Sequence, residues 1–139
     1  MGLIFAQIEL INGGDQYLFD VGQLPRKKIR RVKVKALIDS GAYMMAINER
    51  VRNQLGLPKK ESKTAVLATG KQVKLDVVGP LEIHFKNRQT SCNAMVLPGE
   101  AQVLLGAIPM EDLDVVLDQR RRRLMVNPES PYVPKTILM

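Results

Sequence analysis

Asp39 is a carboxylate whose neighbours suit acid–base chemistry: it closes the run Val34-Lys35-Ala36-Leu37-Ile38 and is followed by Ser40, Gly41 and Ala42. The apolar lead-in puts the acid at the end of a strand, where loss of contact with water raises a carboxyl pKa unless nearby donors compensate. Ser40 offers a hydroxyl, and Gly41 allows a tight turn in which backbone N–H groups can point back at the carboxylate. The other reactive residue types lead elsewhere. His84, the only histidine, falls on the polar side of its strand with Glu82 and Lys86, and no cysteine or second histidine stands near it to complete a metal site. Cys92 is single and can form no internal disulfide; without a suitably set histidine it reads as a small core residue rather than a nucleophile.

Two further stretches extend the pattern. Val103-Leu104-Leu105-Gly106-Ala107 is followed by the short helical pattern Met110-Glu111-Asp112-Leu113, and between it and Asp39 the residues Ala68-Thr69-Gly70-Lys71 sit at the tip of a predicted hairpin. Asp39-Ser40-Gly41-Ala42 resembles the Asp-Thr/Ser-Gly-Ala signature of the aspartic proteases, and Leu104-Leu105-Gly106 its second half. The three features in this order look closest to the small, single-domain, prokaryotic retropepsin-like proteins of clan AA. The likeness covers residues 1–127 and leaves 128–139 as an extended, proline-containing tail.

That resemblance implies a mainly β, closed-barrel acid-protease fold, with one helix after the catalytic strand and a short one near the C-terminus. It implies Asp39 as the catalytic acid, supported by Ser40, Gly41 and Ala42, with Leu67, Ala68, Thr69, Gly70 and Lys71 as a flap over substrate. No metal or cofactor enters the implied chemistry. Pepsin-type enzymes carry two signatures on two similar lobes, whereas this chain has one Asp-Ser-Gly and no internal repeat. The expected unit is therefore a two-fold symmetric homodimer with one Asp39 from each subunit. In it Ser40 would make the crossed hydroxyl-to-backbone bonds that lock the two loops together. The implied activity is that of an aspartic endopeptidase on an extended peptide held through backbone hydrogen bonds. The alternative is a non-catalytic peptide-binding or scaffold module on the same fold. Two departures from retroviral members stand out: the flap is neither glycine-rich nor tipped by an aromatic, and Ala107-Ile108-Pro109 replaces the polar Arg-Asn/Asp pair near their dimer contact. No charged clasp is expected there.

Composition sets the outer bounds. With 139 residues and 45% apolar content the chain is long enough to bury one core. The net charge of +7 and isoelectric point near 9.8 invite a nucleic-acid reading. Against it, the basic residues are scattered through predicted strands and turns, aromatics are 4%, and no recognition motif occurs. A solvated basic surface is the better account, including for Arg120 to Arg123. Residues 1–30 contain no apolar run with cleavage signals and nothing is long enough to span a membrane, so a cytoplasmic protein is expected.

The remaining elements must position Asp39. Leu3 to Ile11 alternates as a strand, and Asn12-Gly13-Gly14-Asp15 breaks it, leading into an expected long surface loop with a basic run at Arg26 to Arg31. Arg31 to Asp39 is a second strand with Val32, Val34, Ala36 and Ile38 on one face. Tyr43 to Ile47 should be buried strand. Asn48 is placed to cap a helix that carries Val51 and Leu55 on one face and stops at Gly56 before Pro58. Lys59 to Lys63 reads as a polar, solvated connection, followed by the hairpin Thr64 to Val78. Gly79-Pro80 punctuates; Leu81 to Lys86 and Ser91 to Leu97 form a hairpin turning at Asn87-Arg88. Met110 to Leu117 reads as a short helix with Leu113, Val116 and Leu117 inward, and the tail is expected to be extended and to pack on the partner subunit.

Overall fold

A computed structural model describes residues 2–138. Nine strands and three short helices follow one another in the order β1 (Phe5–Asn12), α1 (Gly13–Asp20), β2 (Arg31–Ile38), β3 (Met45–Asn48), α2 (Glu49–Leu55), β4 (Lys59–Val66), β5 (Gln72–Phe85), β6 (Arg88–Leu97), β7 (Leu104–Leu105), α3 (Ala107–Leu113), β8 (Val115–Asp118) and β9 (Arg123–Val126). Six strands close on themselves in the order β1-β2-β7-β3-β6-β5, with β5 pairing back to β1. The result is a mainly β, closed-barrel, retropepsin-like architecture. Among the described residues, no helix is long and apolar enough to cross a membrane.

Alternation builds the wall of the barrel. Ile8, Leu10, Ala36, Ile47, Leu81 and Ile83 point inward and are almost completely buried, which removes apolar surface from water at about 25 cal/mol per Å². α2 seals one end with Val51 and Leu55, and both of its termini are chemically defined. Asn48 Oδ1 accepts from Val51 N at 2.8 Å, and Gly56 closes the helix in the left-handed region at φ 62°.

β4 lies outside the ring. It pairs only with the first part of β5, making a two-stranded arm, while the second part of β5 continues into the barrel wall between β1 and β6. The expected break at Gly79-Pro80 is instead a bulge inside one 14-residue strand. Proline has no N–H for the ladder, so an irregularity is where a strand tolerates it.

Four further local expectations need correction. The segment after β1 is not all loop: Asn12-Gly13-Gly14-Asp15 starts helix α1, with Asn12 Oδ1 accepting from Asp15 N at 3.0 Å. Asp15 is then buried against Arg30, taking bonds from its Nε at 2.8 Å, its second guanidinium nitrogen at 3.0 Å and its backbone N at 3.0 Å. These donors hold the Asp15 carboxyl below its usual range. The stretch Lys59 to Lys63 is strand rather than connection. Arg88 opens β6 instead of lying in the turn, and its side chain is buried. The last helix stops at Leu113, where Asp114 adopts φ 55°, and the β-branched pair Val115-Val116 begins β8, which pairs with β9 as a separate hairpin.

Asp114 also ties the start of the tail to its own chain. Its carboxylate accepts from Ser130 Oγ at 2.5 Å, Asn127 Nδ2 at 2.9 Å and Lys135 N at 2.8 Å. Those bonds, led by Ser130, pull its pKa from 3.8 to about 2. The folded chain thus resists a proton that the unfolded chain accepts, so this stabilisation is complete above about pH 4 and is lost as the pH falls toward 2. Asp114→Asn is expected to flatten the loss of urea resistance across that acid window while lowering stability at neutral pH. Parallel acid curves for the two proteins would count against the assignment.

Candidate active site

The loop that carries Asp39 is held from both sides by backbone. Leu37 and Ile38 of β2 pair in parallel with Leu104 and Leu105 of β7. Leu37 N donates to Val103 O at 2.9 Å and Asp39 N to Leu105 O at 3.0 Å, while Ile38 N donates to Ile4 O at 2.8 Å. Beyond the strand the chain turns at once, with Ala42 N donating to Asp39 O at 3.1 Å. Gly41 N donates to Asp39 Oδ1 at 3.0 Å, which fixes the carboxylate relative to its own loop. Asp39 is half-buried; Ser40 and Gly41 are exposed.

Gly106 is where the second segment crosses the first. A Cβ at this position would lie 2.2 Å from Met44 O and 2.8 Å from Ala42 O, so the two backbones touch where only hydrogen fits. The crossing is fastened by Ala107 N to Ala42 O at 2.7 Å and Ile108 N to Tyr43 O at 3.0 Å. Leu105 is completely buried beneath the loop, and Leu104 faces the groove.

The groove has a volume of about 810 Å³ and runs from Asp39 to the underside of the β4–β5 arm. Met44, Leu75, Leu97 and Leu104 give it an apolar lining, and among the described residues Asp39 is the one carboxylate on it. Of the five residues at the arm's tip, Leu67 and Ala68 line the groove, whereas Thr69, Gly70 and Lys71 lie at the exposed end of the turn. The turn is closed by Leu67 N to Lys71 O and Gly70 N to Leu67 O, both 2.8 Å, with Gly70 at φ 86°.

The arm lends the groove Leu75 and the consecutive residues Lys63 to Ala68, Thr64 and Val66 included. Lys63 is opposite Leu75, and Ala65 opposite Val73, so these four share a face, while Thr64, Lys74, Val66 and Gln72 share the other. Lys63 is a groove residue that reading Lys59 to Lys63 as solvated connection passes over. The available signal was its two-residue spacing from Ala65 and Leu67.

Away from the groove, the other reactive residues are accounted for structurally. Cys92 packs against the core, where burial pushes its thiol up to about 11. His84 Nε2 is 2.6 Å from Glu82 Oε1 on the barrel exterior.

A closed six-stranded barrel, a short acid-bearing loop at its rim and a hairpin arm above define the retropepsin-like class of aspartyl protease domains. The sequence comparison agrees: the model of the gag-polyprotein putative aspartyl protease family matches residues 26–110, from the turn before β2 to the middle of α3. The chain belongs to that family. Among individually curated proteins, none matches it.

Proposed function

We propose that this chain is an aspartic endopeptidase that acts as a homodimer, with Asp39 of each subunit facing the other across the two-fold axis. The observation that carries the reading is the single carboxylate, pinned by Gly41 N and set on an apolar groove under a hairpin arm. One acid cannot both activate water and protonate a carbonyl. Two carboxyls brought to about 3 Å cannot both ionise, and share one proton, as is general for this class of enzyme. One Asp39 then takes a proton from water as the water attacks the scissile carbonyl, and its partner gives a proton to the carbonyl oxygen. The roles reverse when the amine leaves.

The surroundings of the loop favour a second copy. Tyr43 and Ile108, joined by a backbone bond beside the Asp39 turn, are 76% and 59% exposed, and Leu3, next to the Ile4 that bonds Ile38, is 67% exposed. Apolar side chains so exposed around a catalytic loop gain by being covered, and a partner subunit would cover them without a charged clasp. Ser40, exposed beside them, is free to reach across to the partner's loop. The arm would close over an extended peptide and exclude water, with Gly70 as hinge.

The test is binding of a peptide whose scissile carbonyl is replaced by a tetrahedral secondary alcohol. Such a mimic of the hydrated intermediate should stabilise the folded dimer by about 2.7 kcal/mol at roughly a hundredfold excess over its Kd, a shift of several degrees in Tm. The shift should shrink sharply in Asp39→Asn. An equal shift in both proteins would mark a peptide-binding module without the shared-proton centre.

A further inference from the structure

The groove carries a second charge with no ion-pair partner among the described residues. Among the described residues of the lining, Lys63 and Asp39 are the two that carry a formal charge at neutral pH. Elsewhere on the same strand Lys59 is paired with Asp76 at 3.4 Å, and Arg52 of α2 meets the same carboxylate at 3.4 Å. Lys63 makes no such pair among the described residues; the polar contact of its Nζ is the Met44 sulfur at 4.0 Å. It therefore reaches from the arm down toward Met44 beside the Asp39 loop, across a surface that is mostly apolar, with Tyr43 and Thr64 as its uncharged polar side chains.

We propose that Lys63 makes this groove selective for peptides carrying an aspartate or glutamate close to the scissile bond, with apolar residues between. The inference rests on the peptidase reading and names its substrate class. Covering an unpaired ammonium with an apolar peptide removes water from it without replacement, which disfavours binding. A substrate carboxylate restores a charge partner in a site of reduced dielectric, and so is preferred for two reasons at once. Because the dimer carries two copies of Lys63 related by the two-fold axis, the preference extends to both sides of the cut. Its size is limited by the exposure of Lys63, whose long stem can also swing toward solvent.

The experiment exposes a peptide mixture from a digested cell extract to wild type, Asp39→Asn, Lys63→Gln and Lys63→Glu, and identifies cut sites by mass spectrometry. Cuts made by wild type and absent with Asp39→Asn should be enriched in Asp and Glu on both flanks. Replacing the flanking Glu of a good site by Gln should lower kcat/KM by about three- to tenfold at low salt, and less at high salt. Lys63→Gln should erase the enrichment, and Lys63→Glu should turn it toward Lys and Arg. The proposal is overturned if Asp39-dependent cuts show no acidic bias, or if Lys63→Glu cuts the same sites as wild type. A wild type that makes no Asp39-dependent cut overturns the peptidase reading itself, and this inference with it.

Discussion

Asp39→Asn is expected to reduce peptide turnover by roughly 10³- to 10⁴-fold while leaving the barrel intact. Both halves of the shared-proton pair disappear in the variant dimer, so neither a base for the water nor a proton for the carbonyl is left. The fold should not notice. The side chain of Asp39 makes one intrachain bond, accepted by Oδ1 from Gly41 N at 3.0 Å, and an asparagine oxygen can accept it equally. Urea unfolding should place the variant within about 1 kcal/mol of wild type, as is usual for a substitution that removes no packing. Turnover undiminished in a folded variant would mean that the chemistry lies elsewhere.

The second large effect falls on stability. Gly106→Ala would drive a methyl carbon to 2.2 Å from Met44 O and 2.8 Å from Ala42 O, both backbone atoms that cannot rotate away. Relief requires the two segments to separate, which breaks the bonds from Ala107 N to Ala42 O and from Ile108 N to Tyr43 O. We expect a loss of about 3 kcal/mol or more, a large share of the 5–15 kcal/mol typical of a folded domain. Gly70→Ala is the contrasting case. Gly70 has φ 86° but open space around it, so its substitution costs about 1 kcal/mol in backbone strain confined to the arm's tip. Denaturant midpoints compare the two directly, and similar values would argue that the backbone crossing at Gly106 is not close-packed.

Much of this architecture is legible in the sequence because several local signals agree. The strand into Asp39 reads from alternation that gives way to continuous apolar residues. α2 reads from Asn48 at one end and Gly56 at the other, and the arm's turn from Gly70. What was not legible has specific causes. Asn12-Gly13-Gly14-Asp15 contains both turn chemistry and a helix cap, and only the burial of Asp15 against Arg30 decides for the helix. The first half of β4 has no core to face, so it lacks the alternation by which strands are recognised, and with it went the groove position of Lys63. Arg88 looks like a turn residue until its partners come from the distant Asp114 and Ser130 carbonyls. Val116 and Leu117 fit the inward face of a helix with Leu113, but Asp114 in the left-handed region ends that helix first.

Subunit mixing tests the central claim, that each reaction centre takes one acid from each of two chains. Wild type would be combined with increasing amounts of Asp39→Asn under conditions that let subunits exchange, and cleavage followed per wild-type subunit. At equal amounts half of the wild-type subunits should be paired with a chain that lacks the acid, so activity per wild-type subunit should halve, and it should keep falling as more variant is added. Activity per wild-type subunit that stays constant across the mixtures would show a centre complete within one chain, and would contradict the account.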